Sequence, residues 1–293
     1  MTASNAKRRV LITRPAGQTD RLVHVLADAG ISASCLPMLN LEAVEAVAQV
    51  AHIKKQLQQL QQQSFAIFIS SNAVKYTAEF MQQNHLTWPA TLACIPIGGA
   101  TAKAIQDVSW PLDKSDIVDS RDALNSNINK NAEGADSLSA YSSEKLLQQL
   151  SQRDVHKKRI TIFRGEGGRE LLAQDLTARG AIVEYCEMYK RQHPTYSADQ
   201  FQHSLGLYDK ADDDSSDDEK PAAILFASGE TLENFHRHIQ RYHLQARLAN
   251  IPIVVPSERI KRLAEGYGFK QIFLAINASA EGFLQALNKQ IFL

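Results

Sequence analysis

The sequence predicts an α/β protein built on parallel sheets with helices packed against both faces. Two observations predict it. Short apolar runs bounded by turn-prone residues alternate with longer helix-like segments, the pattern of strands covered on both sides and joined by crossover helices. At several places a strand runs into small or hydroxylated residues and then directly into a helix, which sets ligand-binding turns along the carboxyl edge of an open sheet. The 293 residues amount to about two domains, or one large α/β domain.

Taken in order, Val10-Leu11-Ile12 is the first strand, expected over 10–13 and closed by Thr13-Arg14-Pro15. A helix over 19–29, a strand over 32–36 and a helix over 44–62 follow; in the last, a glutamine run keeps Leu57 and Leu60 on one helical face. The alternation continues with strands over 65–70, 94–97, 160–163, 182–185, 223–227, 253–255 and 272–276. Helix-like stretches cover 73–83, 143–152, 169–178, 231–242 and 259–267. Two segments interrupt the pattern: 113–142, rich in Ser, Asn and Asp, and 208–220, which carries the acidic run ADDDSSDDE. Both read as exposed insertions, because packed like charges repel and such compositions cannot build a core.

Composition excludes several functions. Lys plus Arg and Asp plus Glu both number 32, so no global basic field attracts nucleic acid or an anionic membrane. Cys35, Cys94 and Cys186 are odd in number, widely spaced and without a CxxC, which fits a reducing cytoplasm rather than a disulfide framework. The first apolar run is too short for a signal h-region, and no segment approaches the ~20 apolar residues of a membrane span. There is no GKS or GKT phosphate loop, no G-x-S-x-G elbow and no H-E-x-x-H, and the glycines of Arg164-Gly165-Glu166-Gly167-Gly168 are spaced G-x-G-G rather than as a dinucleotide fingerprint. His236 and His238, two apart on one helix, face different directions and are expected toward solvent. No cofactor and no metal are expected.

The chemistry is expected at the strand-to-helix turns. Four are clear: Ser70-Ser71-Asn72 after Phe68-Ile69, Gly98-Gly99-Ala100-Thr101 after Ile97, Arg164 to Arg169 after Phe163, and Ser228-Gly229 after Phe226-Ala227. Each helix so opened points unpaired backbone N–H groups and its positive dipole end at the sheet edge, where anions bind. Glycine lets a ligand approach the backbone, and a hydroxyl either caps the helix or serves the ligand. Ser70, Ser71, Asn72, Gly99, Thr101, Gly165, Gly168 and Ser228 are therefore candidate anion-binding residues; the plainer alternative for each Ser or Thr is an N-cap alone. Tyr189, in Glu187-Met188-Tyr189-Lys190-Arg191, is either a packed strand aromatic or a phenol that donates a proton to a leaving group.

These pieces, in this order, resemble the uroporphyrinogen-III synthase family. The matching residues are Val10-Leu-Ile-Thr-Arg-Pro15, Leu36-Pro37-Met38, Phe68-Ile-Ser-Ser-Asn-Ala-Val74, Gly98-Gly-Ala-Thr-Ala102 and Arg164-Gly-Glu-Gly-Gly-Arg-Glu170. Further along stand Gly180-Ala-Ile-Val-Glu184, Tyr189-Lys-Arg191, Phe226-Ala-Ser228, Val255-Pro-Ser-Glu-Arg259 and Gly268-Phe269. The resemblance implies two parallel-sheet α/β domains, one inserted in the other, joined by a two-stranded connector with the active-site cleft between them. Mapped here, the outer domain is 1–36 plus 194–293, the inserted one 43–184, and the connectors 37–42 and 185–193.

The resemblance also implies an activity: the linear tetrapyrrole hydroxymethylbilane is cyclised to uroporphyrinogen III, with loss of water and inversion of the last ring through a spiro intermediate, without metal or organic cofactor. The substrate carries four acetates and four propionates, for which several helix N-termini make physical sense. Arg14, Arg164, Arg169 and Arg259 are candidates to supplement them, the alternative being solvated arginines, and Ser257 joins the set by its motif. Tyr189 matches the family's tyrosine. Glu230 departs from the family's pattern after Ser228 and places in the first helical turn an acid that competes with a substrate carboxylate. The cysteine pattern and the short first apolar run place the protein in the cytoplasm, and a monomer that receives its small-molecule substrate by transient hand-over from hydroxymethylbilane synthase is expected. Two other readings compete: a hinged two-domain binding protein without catalysis, and a glycosyltransferase, which requires a nucleotide-binding acid and glycine set absent here.

Overall fold

The computed structural model describes residues 9–112, 154–167, 170–207 and 220–292. The helix expected over 143–152, the segments 113–142 and 208–219, and Gly168 and Arg169 lie outside the described residues. The chain divides into two compact units, one formed by Met1–Leu41 with Gln192–Leu293 and the other by Glu42–Arg191.

Elements are numbered along the chain. In the first unit, strands β1 (Arg9–Ile12), β2 (Ser32–Cys35), β8 (Ala223–Leu225), β9 (Ile253–Val255) and β10 (Ile272–Leu274) form one sheet in the order β10-β9-β8-β1-β2. Every pairing is parallel. Strand alternation sorts the side chains into two cores. Leu11, Ile224, Ile253 and Val255 pack with Phe201, Phe235 and Ile260, which come from α6 (Ala198–Ser204), α7 (Gly229–Arg241) and α9 (Glu258–Gly266); the single turn α8 (Gln245–Leu248) lies between the last two in sequence. Val10, Ile12, Leu225 and Val254 pack on the other face with Leu22, Leu26, Phe283 and Leu287, from α1 (Asp20–Asp28) and α10 (Ala280–Gln290). Both faces being covered, the central strands are apolar at nearly every position, and each such side chain contributes about 1.5–3 kcal/mol by leaving water.

The histidines of α7 correct the sequence expectation. His238 is buried: its Nδ1 lies 2.9 Å from the Asn234 carbonyl oxygen, its Nε2 accepts the Tyr196 N–H at 3.4 Å, and its ring stacks on Phe201. Position 238 continues the stripe Thr231, Phe235, His238 that faces the core. His236 does point elsewhere, but it stacks on Tyr267 with ring centroids 3.9 Å apart, and burial pushes its pKa down. On the same helix Asn234 donates to the Met38 carbonyl at 2.7 Å and lies 2.6 Å from His193 Nδ1, so α7 anchors both segments by which the chain leaves and re-enters this unit.

In the second unit, β3 (Asn40–Ala43), β4 (Phe65–Phe68), β5 (Cys94–Pro96), β6 (Arg159–Gly165) and β7 (Ile182–Gln192) form a sheet in the order β3-β7-β6-β4-β5. The β4–β5, β4–β6 and β6–β7 pairings are parallel. Its helices are α2 (Val47–Gln58), prolonged by a 3-10 turn at Leu60–Gln62, α3 (Ser71–Gln83), α4 (Gly99–Asp107) and α5 (Leu171–Ala178). Ile67, Ile160 and Ile162 pack with Leu172 and Leu176 on one face. On the other, Phe68 stacks on Phe163 at 4.5 Å, with Trp88 and Trp110 against Phe68. Strand β7 runs unbroken from the apolar run at 182–185 through Gln192, and Asn40–Ala43 forms the edge strand β3.

Both sheets reverse their order of growth. The chain adds β2 on one side of β1 and later β8 on the other; likewise β5 and then β6 flank β4. In open α/β sheets ligands bind outside the carboxyl ends of the strands at such a switch point. Here the two switch points fall at the carboxyl ends of β1 and β8, which lead into Thr13-Arg14 and Ser228, and of β4 and β6, which lead into Ser70 and the Gly165–Gly167 turn.

Candidate functional site

At the β4/β6 switch point the ends of β4 and β6 and the start of α3 come together with Tyr189 of β7. Strand β4 delivers Ser70 in extended backbone as the N-cap of α3, its Oγ accepting the Ala73 N–H at 3.1 Å. The same Oγ lies 3.2 Å from the Tyr189 phenol oxygen. Ser70 thus does the capping, and Ser71, the first helical residue, is half-buried with no hydrogen bond to its hydroxyl among the described residues. Asn72 follows it in the first turn.

Tyr189 reaches this point through an irregularity in β7. Arg164 pairs with Glu187 but Gly165 pairs with Tyr189, so Met188 is an extra residue and the strand bulges there. A bulge re-aims the side chain that follows it. Met188 and Tyr189 are both buried, each 2% exposed. The Tyr189 carbonyl accepts the Glu166 N–H at 2.7 Å, and its ring approaches Gly165 so closely that a Cβ there would lie 2.5 Å from Cε2. Tyr76 of α3 stacks on the ring, with centroids 5.0 Å apart and planes 23° apart. Burial, then the nearby Glu79 carboxylate, raises the Tyr76 pKa, so that phenol stays neutral.

The Arg164 guanidinium is buried beside the same turn. Its Nε donates to the Gly165 carbonyl at 3.1 Å and lies 3.5 Å from Glu187 Oε1, and its Cζ sits 4.4 Å from the centroid of the Tyr185 ring. Burial raises the Tyr185 pKa, and the Arg164 charge opposes that rise. Glu187 also accepts the Gly167 N–H at 3.1 Å, so one carboxylate holds both the arginine and the glycine turn. On the neighbouring edge, Gly98 takes φ 89°, which only glycine adopts without strain, and Gly99 opens α4. The Thr101 hydroxyl, buried, donates to the Ile97 carbonyl at 2.8 Å and serves the helix itself.

In the first unit Ser228 and Ser257 cap their helices, accepting the N–H groups of Thr231 at 3.2 Å and Ile260 at 3.4 Å. Arg259 is exposed and lies beside the start of α7: a Cβ on Gly229 would be 3.5 Å from its Nη1. That places a positive charge next to the turn where Glu230 sits. Arg14, after β1, donates to the Ala278 carbonyl and lies over the Phe283 ring at 5.5 Å, its Nε buried without a hydrogen-bond partner among the described residues. Burial pushes its pKa down.

The structure therefore brings Tyr189, Ser70, Gly165 and Arg164 together in one unit, with Ser71 and Asn72 in the adjoining first turn of α3, and Arg14, Ser228, Ser257 and Arg259 in the other. Sequence reasoning missed Tyr76 and Glu187, which only tertiary packing brings to Tyr189 and Arg164. It also missed the Ser279 cap of α10, which accepts the Gly282 N–H at 3.0 Å; the Ser followed by Phe283, Leu284 and Leu287 at helical spacing was its signal. Among the described residues no three His, Cys, Asp or Glu side chains group as a metal site would need, and no helix is long and apolar enough to cross a membrane.

These features define an α/β protein of two parallel-sheet units whose serine-capped helices open at the strand ends, with a buried phenol against one of the caps. Solved structures share that fold. A mutant uroporphyrinogen III synthase from Thermus thermophilus aligns with TM-score 0.56 over 96% of this chain and 99% of its own at 14% identity. The uroporphyrinogen-III synthetase from Helicobacter pylori aligns with TM-score 0.52 over 95% and 97% at 12% identity. In sequence, the chain is 29% identical over 286 residues to the uroporphyrinogen-III synthase of Salmonella typhimurium, covering 95% of this chain and 99% of that one. It is 28% identical over 284 residues to that of Escherichia coli, with the same coverages. The family model described as uroporphyrinogen-III synthase HemD matches residues 20–285. The chain belongs to the uroporphyrinogen-III synthase family, enzymes of the cyclising lyase class that act in tetrapyrrole biosynthesis.

Proposed function

We propose that this chain cyclises hydroxymethylbilane to uroporphyrinogen III, with loss of water and inversion of the last ring through a spiro intermediate. The observation that carries the reading is the Tyr189 phenol, held 3.2 Å from Ser70 Oγ at the β4/β6 switch point beside an open helix N-terminus. Departure of the substrate hydroxyl is driven by the lone pair of the pyrrole nitrogen. The Tyr189 phenol gives its proton to the leaving oxygen, which departs as water, and recovers a proton when the closing ring loses one from its α-carbon. Ser70 accepts the Ala73 N–H and shares a hydrogen with Tyr189, which fixes the direction of the phenol.

Ring inversion needs geometry more than acid or base. The substituted α-carbon of the last ring must attack ahead of the unsubstituted approach that gives the type I isomer, and that selectivity comes from positioning. The substrate's carboxylates suit the helix N-termini at Ser70-Ser71-Asn72 and Gly99, and the Gly165–Gly167 turn beside Arg164. Ser228 and Ser257, with Arg14 and Arg259, offer the same chemistry in the other unit. Because the substrate closes by itself in water, transient hand-over from hydroxymethylbilane synthase to a monomer fits this chemistry, and three free cysteines fit a cytoplasmic setting.

Expression in a bacterium lacking uroporphyrinogen-III synthase tests the reading. Restored haem synthesis, with type I porphyrins ceasing to accumulate, is the expected result; unrestored growth despite expressed, folded protein rejects it.

A further inference from the structure

We propose that Tyr76 is a positioning residue for the phenol of Tyr189, acting through the face of its ring and not through its hydroxyl. The proposal rests on the reading of Tyr189 as the proton donor. A tyrosine that follows a bulge needs more than backbone register to hold its ring. In β7 the bulge at Met188 moves Tyr189 one residue on, so that it pairs with Gly165 outside the register that holds Arg159 to Arg164 against Ile182 to Glu187; the side chain is re-aimed there, and its own contacts hold the ring's direction.

Three contacts are present. The phenol oxygen meets Ser70 Oγ at 3.2 Å. Atoms Cε2 and Cζ lie against Gly165, where a Cβ would approach to 2.5 and 2.6 Å, so only glycine leaves the ring its place. The ring face lies on Tyr76 with centroids 5.0 Å and planes 23° apart. The first two contacts fix one end and one margin of the ring. The Tyr76 stack bears on its face.

Helix geometry explains why Tyr76 can do this. Side chains on a helix lean toward its N-terminus and cover the turn before their own Cα. Tyr76 is the sixth residue of α3, so its ring leans back over the first turn, the turn capped by the Ser70 hydroxyl that Tyr189 contacts. One helix thereby supplies the partner for the phenol oxygen and the platform for the ring, and the two stay in fixed relation because α3 is rigid between them. Val74 and Thr77, on either side of Tyr76 in sequence, are fully buried, which leaves α3 little freedom to rotate and carry the platform away.

Tyr76→Phe and Tyr76→Leu, compared with wild type for kcat, KM, the type III share of the product and thermal melting, test the proposal. Tyr76→Phe keeps the platform and is expected within about two-fold of wild type in kcat. Tyr76→Leu is expected to lower kcat about ten- to hundred-fold with KM changed by less than about two-fold, and to lower the type III share, because a displacement on the order of 1 Å at the reacting centre costs that much. An equal loss in Tyr76→Phe overturns the proposal, since the hydroxyl then acts; so does wild-type kcat in Tyr76→Leu, or a raised KM with kcat unchanged. A second readout needs no turnover: with carbon-13 in the tyrosine rings, the Tyr189 signal, assigned by its loss in Tyr189→Phe, is expected to move in Tyr76→Leu and hold in Tyr76→Phe. An unmoved signal in Tyr76→Leu overturns the proposal even if that variant is inactive. Full activity of Tyr189→Phe, by contrast, removes the proton-donor reading while this signal still reports whether Tyr76 holds the ring.

Discussion

Gly165→Ala is expected to lower kcat by about two orders of magnitude in a protein that still folds. The new Cβ would lie 2.5 Å from Tyr189 Cε2, 2.6 Å from Cζ and 3.1 Å from Cδ2, so the ring or the end of β6 must shift by roughly 1 Å to restore ordinary contact. The ring cannot yield freely: Tyr189 is 2% exposed, its hydroxyl is on Ser70 and its face is on Tyr76. Overpacking of this kind costs about 1–3 kcal/mol of stability, roughly 2–4 °C of Tm per kcal/mol for a unit of this size. Kinetics and melting of Gly165→Ala, repeated in a Tyr189→Leu background, separate the causes. Most of the stability loss is expected to vanish once the ring is gone, as contacting residues couple. Equal losses in both backgrounds, or unchanged kcat, contradict the arrangement.

Tyr189→Phe is expected to lower kcat by about 10²–10⁴-fold, the usual contribution of a positioned acid. KM is expected within about two-fold of wild type, because the ring and its packing remain. Stability changes by about 1 kcal/mol, the net worth of one hydrogen bond, since Ser70 keeps the Ala73 N–H and the α3 cap survives. Product composition sharpens the test. Without the donor, hydroxyl loss is left to the pyrrole nitrogen, uncatalysed closure competes, and the type I share rises. A Tyr189→Phe enzyme with full kcat and undiminished type III output would show that the proton comes from elsewhere.

Much of the fold was legible because parallel sheets covered on both faces need apolar strands, and runs such as Val10-Leu11-Ile12 and Ile253-Val254-Val255 stand out from their polar flanks. The capped turns were legible for a local reason: Ser70, Ser228 and Ser257 each cap the backbone N–H three residues on, which is a short-range property. Elements whose existence depends on neighbours were not. Strand β3 is half polar and exists because β7 offers it an edge, and α6 and α8 are too short for a periodic signal. The bulge at Met188 leaves no trace in composition, yet it decides where Tyr189 points. Tyr76 and Tyr189 lie 113 positions apart, and Arg164 and Glu187 23 apart, so the stack and the ion pair belong to tertiary packing. His238 shows the same limit in reverse: a histidine on a helix reads as solvated until Phe201 and Tyr196 are seen to enclose it.

The most direct test of the whole account is the isomer composition of the product. Hydroxymethylbilane is generated in situ in the presence of the purified chain, the products are oxidised to porphyrins, and the type I and type III isomers are separated. The account predicts predominantly type III product, in an amount that rises with the concentration of this protein. Type I product alone, from protein that melts cooperatively, would contradict it.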